Sequence, residues 1–130
     1  MLSCSIQPDS IYYGEDICSA CKMTIVDRQH AAQLITAKGK AFKFDAIECM
    51  LRNKKENEQY HYLLVNDYLQ PGDLIDAQKA VYLVSEEIPS PMGANLTAFS
   101  DVEAARSSVQ SAEGKLFSWE EIQQRTFQLE

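Results

Sequence analysis

Three times in this chain a phenylalanine is followed by a short acidic or hydroxyl residue and, three positions further on, by a glutamate: Phe44-Asp45-Ala-Ile-Glu48, Phe99-Ser100-Asp-Val-Glu103 and Phe117-Ser118-Trp-Glu-Glu121. Each pattern reads as a helix start. Asp or Ser at the N-cap accepts a free backbone N–H of the first turn, and the glutamate reaches back to the cap. The first helix is expected over about Ala46 to Lys55, with Ala46, Ile47, Met50 and Leu51 on one face; the second aligns Val102, Ala105 and Val109. Runs rich in β-branched, aromatic or alternating apolar residues give strand candidates at Met23–Val26, Ala31–Ala37, Ala41–Phe44, Tyr60–Val65, Ala80–Ser85, Asn95–Phe99 and Lys115–Phe117. Lys38-Gly39-Lys40 marks a tight hairpin. Aligning Phe44 with Phe99 superimposes one strand-strand-helix-strand unit on another. The expectation is therefore an α+β fold of two similar β-β-α-β units plus a short C-terminal helix.

The two units differ in their hairpin loops. Glu86 to Ala94 replaces the short Lys38-Gly-Lys40 connection, and long irregular loops on rigid scaffolds are where function tends to sit. Pro89 and Pro91 stiffen this loop, and Gly93 permits a turn immediately after Met92, so that Met92 projects from a held segment.

With 130 residues and 45% hydrophobic content, the chain can bury one core without a disulfide framework. A net charge of −7 argues against a nucleic-acid or anionic-membrane surface as the main partner. Lys38-Gly-Lys40 and Arg52-Asn-Lys54-Lys55 are too short to reverse that balance. No apolar run approaches the roughly 20 residues that span a bilayer. Met1-Leu2-Ser3-Cys4 resembles the tail of a bacterial lipoprotein signal, in which a small residue precedes the cysteine that becomes lipidated. Residues 1–17 then form a tether with a lipidated Cys4, polar from Ser5 to Ile17. Residues 18–130 form the domain, and the location is exported.

The chemistry is concentrated in Cys18-Ser-Ala-Cys21-Lys-Met23, two thiols and a thioether within six residues. Thiolate and thioether donors favour Cu(I) over magnesium, calcium or manganese, which take oxygen ligands. In an extended segment Cys21 and Met23 point to the same side and can present both sulfurs to one ion. Cys18 could supply a third sulfur or pair with Cys21 in a short disulfide. A Cys-x-x-Cys pair alone is equally consistent with a redox couple or half a zinc site. Met92 joins the candidate ligands because a methionine in a polar loop is less readily explained as core filler than one on a helix face, the alternative being that it folds back under the loop. Asp45 is read as a helix cap, Cys49 as a small buried residue beside Ala46 and Met50, and His30 and His61 as surface or edge residues; none is assigned to a metal.

The Cys18-x-x-Cys21-x-Met23 cluster, Phe44-Asp45 before the first helix and Ser90-Pro-Met92-Gly-Ala-Asn-Leu-Thr-Ala-Phe99 before the second resemble the NosL family, copper-binding lipoproteins that assist assembly of nitrous oxide reductase. The resemblance runs in order from about Asp16 to Phe117. It implies a Cu(I)-binding cysteine and methionine at Cys21 and Met23, a second methionine at Met92, and Cys18 as an additional thiol. It also implies paired β-β-α-β units related to organomercurial lyase and an N-terminal lipid anchor on the periplasmic side.

The function expected is that of a copper chaperone, not an enzyme. It would hold Cu(I) between Cys21, Met23 and Met92, with Cys18 as a fourth sulfur, and pass it by ligand exchange to nitrous oxide reductase or its maturation machinery. Membrane contact would be through the N-terminal lipid only. The rival is an exported thiol-disulfide oxidoreductase using Cys18 and Cys21, and a zinc-binding or structural domain is the third reading. The oxidoreductase is disfavoured because such proteins place the pair at a helix start, whereas Met23-Thr-Ile-Val26 looks extended.

Overall fold

The computed structural model describes residues 6–126. The first sheet is built from β1 (Ala32–Thr36), β2 (Ala41–Phe44), β3 (Tyr60–Asp67) and β4 (Gln70–Asp76), all antiparallel, in the order β2-β1-β3-β4. The second is built from β5 (Val81–Val84), β6 (Leu96–Phe99) and β7 (Leu116–Phe117), in the order β6-β5-β7. Helix α1 (Ile47–Asn53) connects β2 to β3, α2 (Val102–Ser107) connects β6 to β7, and α3 (Trp119–Thr126) ends the described chain. The two β-β-α-β units are thus present, and they share a topology: in each, the first strand is central and its hairpin partner and post-helical strand flank it.

One core runs through both units. Phe44, Ile47 and Met50 from the first meet Tyr82 and Leu96 from the second and Trp119 and Ile122 from α3. Burying an apolar side chain of this size contributes about 1.5–3 kcal/mol. Backbone bonding also joins the sheets, because the Tyr68 N–H after β3 donates to the Ala98 carbonyl of β6 at 2.9 Å.

Several elements differ from expectation. Met23–Val26 is not a strand; Thr24 makes only an isolated bridge with Ile17. Strand β4 was not expected, because Pro71, Gly72 and Asp73 are poor strand residues. It is an edge strand, where a missing proline donor is tolerated, and the register shift between Asn66 and Asp67 absorbs Pro71-Gly72. Helix α2 stops at Ser107, so Val109 lies beyond it, and Val102 is 38% exposed rather than packed. Only Ala105 of the expected face is buried.

Residues 9–17, within the segment expected as a tether, are held on the fold. Gln33 brackets Asp9, accepting from its N–H at 2.8 Å and donating to its carbonyl at 2.7 Å. Ile11 enters the core. The Lys43 ammonium meets Asp16 at 2.8 Å and Asp9 at 3.1 Å. Cys4, the expected lipidation site, lies outside the described residues.

Candidate metal centre

Cys18 and Cys21 sit in a turn closed by the Ile17–Thr24 bridge. The Cys18 N–H donates to the Met23 carbonyl at 2.8 Å and the Lys22 N–H donates to the Cys18 carbonyl at 3.1 Å. Lys22 adopts a left-handed backbone, φ 67°, a conformation that costs a non-glycine residue about 1–2 kcal/mol. The turn is docked on the edge of the first sheet, with the Ser19 N–H donating to the Lys43 carbonyl of β2 at 2.8 Å. That docking carries the thiols to the place where β2 runs into α1.

Cys49, in the first turn of α1, completes a cluster. The sulfurs of Cys18, Cys21 and Cys49 all lie within 4.8 Å of one another. All three are free thiols. Three sulfurs around one ion at about 2.3 Å would stand roughly 4 Å apart, so the spacing suits trigonal soft-metal coordination. From the sequence, Cys49 is expected as a small buried residue beside Ala46 and Met50 and not as a ligand, which would require its helix start to abut the other two thiols. It does abut them, and Cys49 joins the cluster.

The three thiols are electrostatically unlike. Burial alone would push Cys18 up, but the backbone N–H groups of Asp45, Cys21 and Ala20 point at its sulfur and hold it below the ordinary thiol value. The Cys21 N–H to Cys18 Sγ distance is 3.4 Å. A helix start is therefore not needed to favour a thiolate here; the loop's own N–H groups do it. Cys21 is pushed up by burial and by its bond with Cys18. Cys49 is pushed up to about 12, first by burial and then by the neighbouring sulfurs and Glu48. Cys18 is thus the most readily ionised of the three thiols and Cys49 the least.

The two methionines are outside this buried group. Met23 is 60% exposed and Met92 is 42% exposed. Met92 rides on a loop tied to α1: the buried Glu48 accepts from Ser90 Oγ at 3.2 Å and from the Ala94 N–H at 3.3 Å. The loop is thereby anchored to the same helical turn that carries Cys49.

Asp45 does not cap α1. The N-cap is Ala46, with no side-chain cap bond. Asp45 is instead buried, and its Oδ1 has no hydrogen-bond partner among the described residues. Burial and the Asp27 carboxylate raise its pKa, against the opposing effect of His30. His30 is not at the surface either. It is 3% exposed, bonded through Nδ1 to Asp27 and through Nε2 to Thr97 of β6, both at 3.1 Å. His61 is exposed, as expected.

The chain is thus an α+β protein of two β-β-α-β units that gathers three thiols, at the junction of a turn and a helix, in a group that could hold a soft metal ion. The NosL family model matches residues 12–127, and the chain belongs to the NosL family. Among solved structures, the copper chaperone NosL from Shewanella denitrificans is similar with a TM-score of 0.75, at 22% identity, over 93% of this chain and 98% of that one. At that identity the likeness speaks for the fold. No curated protein matches the chain.

Proposed function

We propose that this protein is a Cu(I) chaperone that delivers copper for assembly of nitrous oxide reductase, by ligand exchange and without catalysis. The observation that carries the reading is the convergence of three unpaired thiols, two from a turn and one from a helix, on one point of a NosL fold. Cys18, Cys21 and Cys49 supply the anionic, high-affinity donors. Met23 and Met92 supply neutral thioethers at the rim, where a partner's sulfur or imidazole can replace them. Affinity and pH dependence come from the thiols, whose protons the ion displaces. The acceptor is nitrous oxide reductase or its maturation machinery. The protein is held on the periplasmic side of the membrane by a lipid on Cys4.

Anaerobic titration of the reduced protein with Cu(I) is expected to give one ion per chain. Cys21→Ser and Cys49→Ser should each weaken binding by on the order of a hundredfold, as for one ligand lost among several. Preference for Zn(II), or reduction of insulin disulfides by the metal-free protein, would overturn the reading and favour the zinc domain or the oxidoreductase. Cys4→Ser in the native host should move the protein from the membrane to the soluble fraction.

A further inference from the structure

With Ala46 as the N-cap, Glu48 is the second residue of α1, and its side chain turns to the other unit. It is fully buried. Its Oε2 receives Ser90 Oγ and the Ala94 N–H, two residues before and two residues after Met92. Its Oε1 is buried with no hydrogen-bond partner among the described residues. Leaving a buried carboxyl oxygen unpaired is costly, a cost that a purely structural loop anchor need not carry.

The tip of the loop it grips is also closed on itself. The Gly93 N–H donates to the Ser90 carbonyl at 3.0 Å, the Asn95 N–H donates to Ser90 Oγ at 2.8 Å, and the Ser90 N–H donates to Asn95 Oδ1 at 3.4 Å. Gly93 and Asn95 are both left-handed, φ 84° and 58°, which gives the tip a defined shape. Ile88 fixes the loop's entry by burial in the smaller core cluster. Among the described residues, the side chain from outside the loop that hydrogen-bonds between Ser90 and Ala94 is that of Glu48.

We infer that Glu48 is a positioning residue, a latch that holds the Met92 loop against the turn of α1 carrying Cys49 and so couples the rim thioether to the thiol cluster. The consequence for metal binding rests on the proposed ligand set; the latch itself does not. Release of the loop would withdraw Met92 while the thiols stay in place, which is a route for opening the site to an acceptor.

The test combines amide hydrogen exchange of the metal-free protein with Cu(I) competition titrations. Glu48→Ala should speed exchange at Ala94 and Asn95 by about tenfold, the scale of a lost charge-assisted hydrogen bond. Glu48→Gln keeps an acceptor and should leave exchange near the wild-type rate. Ser90→Ala, away from the sulfurs, should loosen the same segment and serves if Glu48→Ala does not fold. In the titrations, Glu48→Ala should lower Cu(I) affinity by the same factor as Met92→Leu, and the double variant should be no weaker than Met92→Leu alone. Unchanged exchange in both Glu48→Ala and Ser90→Ala would sink the latch. Multiplying affinity effects would show that Glu48 acts on the cluster directly, and would overturn the coupling. If Met92→Leu leaves affinity unchanged, Met92 is not a ligand and the metal consequence falls, while the exchange result still decides the latch.

Discussion

The two β-β-α-β units begin their helices at equivalent places, yet they use the helix start for opposite purposes. In the second unit the N-cap is Asp101, whose carboxylate accepts from the Ala104 N–H at 2.8 Å. At α3 the full reciprocal box forms, with Glu121 N–H to Ser118 Oγ at 3.2 Å and Ser118 N–H to Glu121 Oε1 at 2.8 Å. In the first unit the position matching Asp101 is Ala46, and no side chain caps α1. Its two acidic side chains are engaged elsewhere: Asp45 is buried beside the thiols and Glu48 grips the Met92 loop. The short pattern thus caps α3 as expected, α2 is capped one residue later than expected, by Asp101 rather than Ser100, and α1 is left without a side-chain cap where the sulfurs gather.

The largest expected contrast is in packing. Ile47 of α1 is fully buried in the core shared by both units, whereas Val102, its counterpart in α2, is 38% exposed. Chemical denaturation should show Ile47→Ala costing about 2–5 kcal/mol and Val102→Ala costing no more than about 0.5 kcal/mol. Similar losses at both positions would mean that the two helices carry comparable packing after all.

The second contrast concerns caps. Asp101→Ala and Ser118→Ala should each cost about 1 kcal/mol. Asp45→Asn should lack that signature and change the pH dependence instead. Because burial raises the folded pKa of Asp45 above the ordinary 3.8, the folded state holds this proton more tightly than the unfolded chain. The associated stability is complete below the ordinary value and is lost as pH rises through the folded one. Asp45→Asn should therefore flatten that fall in a series of denaturation curves from pH 3.5 upwards. A pH-independent loss of about 1 kcal/mol in Asp45→Ala, which removes the acceptor that Asn would keep, would instead restore Asp45 as a cap.

These residues also show what the sequence could carry. The paired units were legible because strand alternation and helix starts are local patterns, and Cys18, Cys21 and Met23 stood out because they are neighbours. Cys49 was hidden. On a helix beside Met50, a cysteine looks like core, and only the docking of Ser19 on Lys43 brings its turn against the other thiols. Asp45 and Glu48 misled for a related reason, since capping is the commonest local use of those residue types, whereas Asp45 is buried and Glu48 takes Ser90 and Ala94, far along the chain, as its partners. Strand β4 was missed because Pro71-Gly72 reads as a turn, and its place at the sheet edge is a tertiary fact.

The smallest expected effect tests whether the first unit's edge holds the cysteine turn in place. Lys43 projects from β2 to Asp16 and Asp9, while its carbonyl receives Ser19. Its bond to Asp16 is the main cause of that carboxyl's lowered pKa, and the Tyr12 N–H adds to it. For a depressed carboxyl the sign is opposite to that of Asp45: the contribution is present above the ordinary 3.8 and is lost as pH falls through the folded value. Asp16→Asn should cost no more than about 1 kcal/mol near neutral pH, as partly exposed pairs do, and less as the wild-type group is protonated in acid. The functional consequence should be sharper than the energetic one. Asp16 precedes Ile17 and Cys18 directly, and its carbonyl accepts from the Ile25 N–H across the turn at 2.8 Å. Faster amide exchange at Cys18 and Ile25 in Asp16→Asn, with the second unit unchanged, would confirm that the sulfur-bearing turn is locally stabilised from β2. Equal loosening in both units would show instead that the pair acts on the fold as a whole.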